Sequence, residues 1–100
     1  MSLARILRSA AAGVFAVNAI PHGVKGVQGQ RFPTPFADPP GVGLSSPTEN
    51  VLWSAANAGT AALLRPRGAG TRGERIAFAV GAGAMAVFLS ITFADATSKR

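Results

Sequence analysis

At one hundred residues the chain is one domain at most, too short to bury a large aqueous core, and the lack of cysteine excludes disulfides and thiolate metal sites. Hydrophobic residues make up 48% and charged residues only 14%, against about 25% charge in an average soluble domain. The net charge of +6 would admit a nucleic-acid binder, but the cations flank apolar runs and accompany no recognised binding motif, so no nucleic-acid partner is expected.

The first segment, 3–20, carries Arg5 and Arg8 and then no charged residue from Ser9 to Ile20. This pattern predicts a membrane-spanning helix whose arginines snorkel to the inner interface, ended by Pro21. A cleaved secretory signal, with small residues around Val17-Asn18-Ala19, is the competing reading. Retention is the expectation, because cleavage would leave two hydrophobic spans rather than a soluble product.

Residues 21–46 form a long Pro/Gly-rich connection. From Pro21 to Pro47 there are six prolines and five glycines in twenty-seven residues. Long irregular loops are usually either functional or disordered, and a disordered linker would be poor in aromatics. Here Phe32 and Phe36 alternate with Pro33 and Pro35, so an ordered cap over the helix ends is expected, anchored by both rings. His22 is the single histidine. With Asp38 and Glu49 as the nearest potential co-ligands the spacing is a weak metal signal, and a role at a helix end explains the residue more simply. Gly23, Gly26 and Gly29 do not form a dinucleotide fingerprint and follow no strand.

The second segment, 47–64, opens on Ser46-Pro47-Thr48-Glu49: an N-cap, a proline at the first helical position and a capping-box glutamate. Pro66 limits the helix at its far end. Eighteen residues reach ~27 Å, enough to span with little to spare. Asn50, Ser54, Asn57 and Thr60 make it polar for a lipid-facing helix. It is therefore expected to pack on its neighbours with Asn57 inside, because an unpaired amide in hydrocarbon is costly. Trp53, one turn in, suits an interface.

Residues 65–75 carry Arg65, Arg67, Arg72 and Arg75. Thr71 and Glu74 form a second capping box, and 76–94 is then nineteen residues without a charge, or ~28 Å of helix. Together the segments predict an all-α membrane protein: three transmembrane helices, about 3–20, 47–64 and 76–94, with an outer loop 21–46 and a cytoplasmic loop 65–75. The arginine excess places the amino terminus and 65–75 inside. Asp95 would face water at the outer end, while Lys99 and Arg100 argue mildly against this orientation. Small residues recur four apart at Ser9/Gly13, Ala12/Ala16, Ala55/Gly59 and Ala79/Gly83, which makes Asn18, Asn57, Gly59 and Gly83 the candidate helix-packing residues.

The run PHGVKGVQGQRFPTPFADPPGVGLSSPTENVLW, from Pro21 to Trp53, resembles a signature of uncharacterised small bacterial multi-pass integral membrane proteins. The resemblance implies the bacterial cytoplasmic membrane and several spans, and it implies no activity. No Ser/His/Asp constellation or cofactor motif is present, so neither an enzyme nor a cofactor is expected. The leading expectation is a structural or accessory membrane protein, with the candidate functional loop at His22, Phe32, Pro33, Pro35 and Phe36. Its partners would be the bilayer and a second copy or another membrane protein. The alternatives are a small-solute transport or binding subunit acting as an oligomer, with Asn18, Asn57 and His22 lining a cleft under the loop, and a holin-like pore former, which would have short turns instead of a cap.

Overall fold

The computed structural model describes residues 2–94, so the expectations for Asp95, Lys99 and Arg100 fall outside the described residues. Three helices account for most of the chain: α1 (Leu3–Val27), α2 (Pro47–Leu64) and α3 (Arg72–Thr92). Helix α1 lies in the middle, antiparallel to α2 and parallel to α3, and those two make little contact with each other. Two short strands, β1 (Phe32–Pro33) and β2 (Leu44–Ser45), pair antiparallel in the connection between α1 and α2, with Phe32 opposite Ser45. The connection is thus a small β-ladder closed by turns, which the all-α expectation did not include.

Local chemistry sets most helix boundaries. Both capping boxes form: the Ser46 hydroxyl accepts from the Glu49 N–H while the Glu49 carboxylate accepts from the Ser46 N–H, and Thr71 and Glu74 repeat the pattern. Helix α3 therefore begins at Arg72, ahead of the apolar run. Pro21 does not end α1, which continues six residues further to Val27. Proline removes one intrahelical hydrogen bond. The turns beyond it are held from outside instead: His22 and Gly26 are buried against α2, and the Ser54 hydroxyl donates to the Ala19 carbonyl at 2.7 Å. The connection is accordingly 28–46 and not 21–46.

Two described helices, α1 and α3, are long and apolar enough to cross a membrane; α2 is not, so three transmembrane helices do not follow from helix length and hydropathy. Asn50, Ser54 and Asn57, three of the residues that lower its hydropathy, are turned toward α1.

The helices approach closely where side chains vanish. A Cβ placed on Gly81 would collide with the Ala10 carbonyl of α1, and one on Gly13 would collide with the Phe78 carbonyl of α3. At Gly26 it would lie 2.6 Å from Val51 and 2.8 Å from the Pro47 carbonyl. Gly59 and Gly83 have nothing within 4 Å of that position, so neither packs a helix in the described chain. The seam on α3 runs through Gly81 and Leu89, one face away from Ala79/Gly83. Gly81→Leu should cost about 1–3 kcal/mol through forced separation of α1 and α3, whereas Gly83→Leu should be close to neutral. Denaturant titration of the two variants in mild detergent checks this, and equal losses would contradict the assigned seam.

Candidate functional site

Among the described residues the largest fully buried side chains are His22, Asn50, Asn57 and Thr34, all polar, and the buried apolar residues are Ala12, Ala19, Phe32, Ala61 and Leu89. Leu7, Ile20, Leu52, Leu63, Val80, Val87, Phe88 and Ile91 are exposed along the helices. A soluble domain has the opposite distribution.

The buried polar groups satisfy one another between α1 and α2. Asn57 donates to the Trp53 carbonyl at 2.8 Å, which leaves its own amide oxygen to accept from Asn18 at 2.9 Å. Two turns toward the connection, the Asn50 amide donates to the carbonyls of Phe32, Ser45 and Ser46 at 3.0, 3.3 and 3.1 Å. Those three acceptors orient the amide, so its oxygen faces His22 Nδ1 at 2.8 Å as an acceptor. Nδ1 must then carry the proton, and in the neutral ring Nε2 is left with its lone pair. Asn50 thereby ties both strands of the connection, and through His22 the central helix, to the start of α2.

The connection folds onto this centre. Phe32 is 4% exposed and packs on His22, with ring centroids 5.5 Å apart, and on Phe93 at 4.6 Å, while Lys25 Nζ sits 5.9 Å above its ring. The Thr34 and Ser45 hydroxyls bond each other across the ladder, and the Thr34 carbonyl accepts from the N–H groups of Ala37 and Gly41. Gly41 closes that turn at φ 72°, a left-handed conformation that glycine adopts without strain. Phe36 is different: it is 53% exposed and meets Trp53 edge-on at 5.6 Å. The two phenylalanines are not equivalent anchors.

A cavity of about 360 Å³ lies under this cap. Asn18 and His22 line it from α1 and Trp53 from α2; Met85 and Leu89 of α3 and its C-cap Phe93 close it on another side, and Pro33, Pro35 and Pro40 from above. The structure therefore brings Asn18, His22, Pro33 and Pro35 to one place. Phe32 lies behind His22 and outside the lining, and Asn57 supports Asn18 without lining the cavity. No Asp, Glu, Lys or Arg lines it among the described residues. The Trp53 indole N–H is buried and has no hydrogen-bond partner there. No described cluster of three His, Asp or Glu side chains could hold a metal ion. The contribution of Met85, Leu89 and Phe93 was not legible in the sequence, where the third segment is uniformly apolar.

The other end of the bundle is cationic. Arg5 is not a free snorkelling residue: its Nε donates to Glu74 at 2.8 Å and its terminal nitrogen to Glu74 at 3.1 Å and to the Arg67 carbonyl at 3.0 Å. Arg8 donates to the Leu63 carbonyl at 2.7 Å and so caps the last turn of α2. Compared with known protein families, curated sequences and solved structures, the chain matches none.

Proposed function

We propose that this is a small integral protein of the bacterial cytoplasmic membrane. Its three helices cross as one unit, and it acts as a structural or accessory subunit without chemistry of its own. The observation that carries this reading is the inverted burial, with amides and an imidazole inside and leucine, valine, isoleucine and phenylalanine outside. In hydrocarbon that arrangement is favourable on both faces, since polar groups must be paired internally and apolar ones meet lipid. Helix α2 needs no lipid-spanning hydropathy of its own, because its polar face is spent on α1 through Asn50, Ser54 and Asn57. The same inward turn disfavours a holin-like pore, whose polar face would have to line a lumen between copies. As the central helix, α1 is also needed by both others, which favours its retention.

Six arginines (Arg5, Arg8, Arg65, Arg67, Arg72 and Arg75) gather at one end of the bundle, while Lys25 and Arg31 lie at the other. The positive-inside rule then puts 65–71 in the cytoplasm and the capped end outside. The chain has no native cysteine, so single cysteines report cleanly. Gln30→Cys should react with an impermeant maleimide on intact cells, and Ala69→Cys only after lysis. A reversed pattern would invert the orientation; labelling of both from outside would remove the spanning bundle altogether.

A second reading, a small-solute binding subunit, is favoured by the capped cavity with Asn18 and His22 on its wall.

A further inference from the structure

We infer that the capped cavity binds a neutral molecule with a phenolic hydroxyl on an apolar ring, held by donation of that hydroxyl to His22 Nε2. The inference rests on the second reading above and gives the ligand its chemistry. Three observations converge on it. Asn50 fixes the proton of His22 on Nδ1, so the ring offers an acceptor and not a donor to anything beside it. Asn18 adds a second acceptor: one of its amide hydrogens is committed to Asn57, whose own orientation is set by the Trp53 carbonyl, and its oxygen has no partner among the described residues. Residues 18 and 22 stand one helical turn apart on the same face of α1, and both line the cavity. A ligand that fits donates to His22, and the buried, unpartnered Trp53 indole N–H favours one that also accepts; a hydroxyl does both.

The charge and shape of the site narrow the class. Ammonium groups also donate, but no carboxylate lines the cavity among the described residues, and a buried unpaired cation is strongly disfavoured. The opposite wall is apolar and partly aromatic, formed by Met85 and Leu89 of α3, its C-cap Phe93, and Trp53 of α2. His22 already meets Trp53 and Phe93 edge-on, at centroid distances of 6.4 and 5.9 Å, which is the geometry an inserted aromatic ring would extend. A volume of about 360 Å³ is at the small end of ligand pockets and holds a substituted phenol or the head of a lipid-soluble hydroquinone. Both sources present the same hydroxyl.

Trp53 is the only tryptophan and stands in the cavity wall, so its fluorescence reports occupancy directly. Full-length protein in mild detergent, titrated with para-butylphenol, should show a saturable change with excitation at the red edge, where the phenol does not absorb. Para-butylfluorobenzene, of similar shape but with no proton to donate, should bind about tenfold more weakly. His22→Phe should bring the phenol down to the fluorobenzene level. Should that variant not fold, the ligand pair on the unmodified protein decides alone. Equal affinity for the two ligands, or unchanged phenol binding in folded His22→Phe, would overturn the proposed hydrogen bond, and absence of saturable binding would overturn the site. None of these results depends on orientation, which the cysteine labelling tests separately. In vesicles containing a prenylated hydroquinone, displacement of para-butylphenol would assign the site to the membrane-borne source. Undiminished binding there would assign it to freely diffusing phenols.

Discussion

Asn50→Leu should destabilise the folded protein by about 4 kcal/mol, the largest loss expected from any single polar side chain here. Leucine keeps the branched outline of the side chain while removing every hydrogen bond it makes. The His22 Nδ1–H loses its acceptor in a buried setting, while the carbonyls of Phe32 and Ser45 lose the amide donor but keep each other's backbone N–H across the ladder. The stranded N–H costs about 1–3 kcal/mol and each lost carbonyl bond about 0.5–1.5 kcal/mol. The Ser46 carbonyl is less affected, since it also accepts the Asn50 backbone N–H within the helix. Part of the loss would be recovered if the imidazole moved its proton to Nε2, which is why the figure lies below the upper end of the sum. Denaturant titration in detergent measures the loss, and hydrogen exchange shows where it falls. Amides of 29–45 should exchange faster while the middle of α1 and α3 stays protected, because the close contacts at Gly13 and Gly81 do not involve Asn50. A change below about 1 kcal/mol would mean that the amide does not tie the cap to the bundle.

The second large effect separates two residues of the same type four positions apart. Phe32→Ala should cost about 3 kcal/mol and Phe36→Ala about 1 kcal/mol or less. Phe32 is buried between His22 and Phe93, so its removal opens a void beside the cavity and frees β1 from α1. Phe36 is half in solvent or lipid and makes one edge contact with Trp53. Limited proteolysis of the detergent-solubilised variants reads the difference: cleavage within 28–43 should accelerate in Phe32→Ala and stay near the unmodified rate in Phe36→Ala. Equal acceleration would restore the symmetric anchoring that the sequence alone suggests.

That asymmetry marks the boundary between what could and could not be read from the residues. Signals contained within one or two helical turns were legible. Ser46-Pro47-Thr48-Glu49 and Thr71 to Glu74 determine where α2 and α3 begin, because a cap needs only its own next three residues. The apolar run after Ile76 determines a long helix for the same local reason. The polar residues of α2 likewise foretold an inward-facing Asn57, since an amide among apolar residues needs a partner and finds it in Asn18.

What depends on a partner element was decided by the tertiary structure. Pro21 looks like a terminator because its lost hydrogen bond is a local fact, and the contacts of His22 and Gly26 with α2 that carry the helix past it are not. Gly81 and Gly83 are indistinguishable in an alanine- and glycine-rich segment, until the rotation of α3 against α1 leaves only the first without room for a Cβ. The same holds for Asn50. As an isolated residue it reads as one more polar position on α2, and it becomes the junction of the cap only when the ladder brings the Phe32 and Ser45 carbonyls to its amide and α1 brings His22 to its oxygen. Helix starts are encoded in neighbours along the chain, whereas the seam and the cavity are encoded in which faces meet.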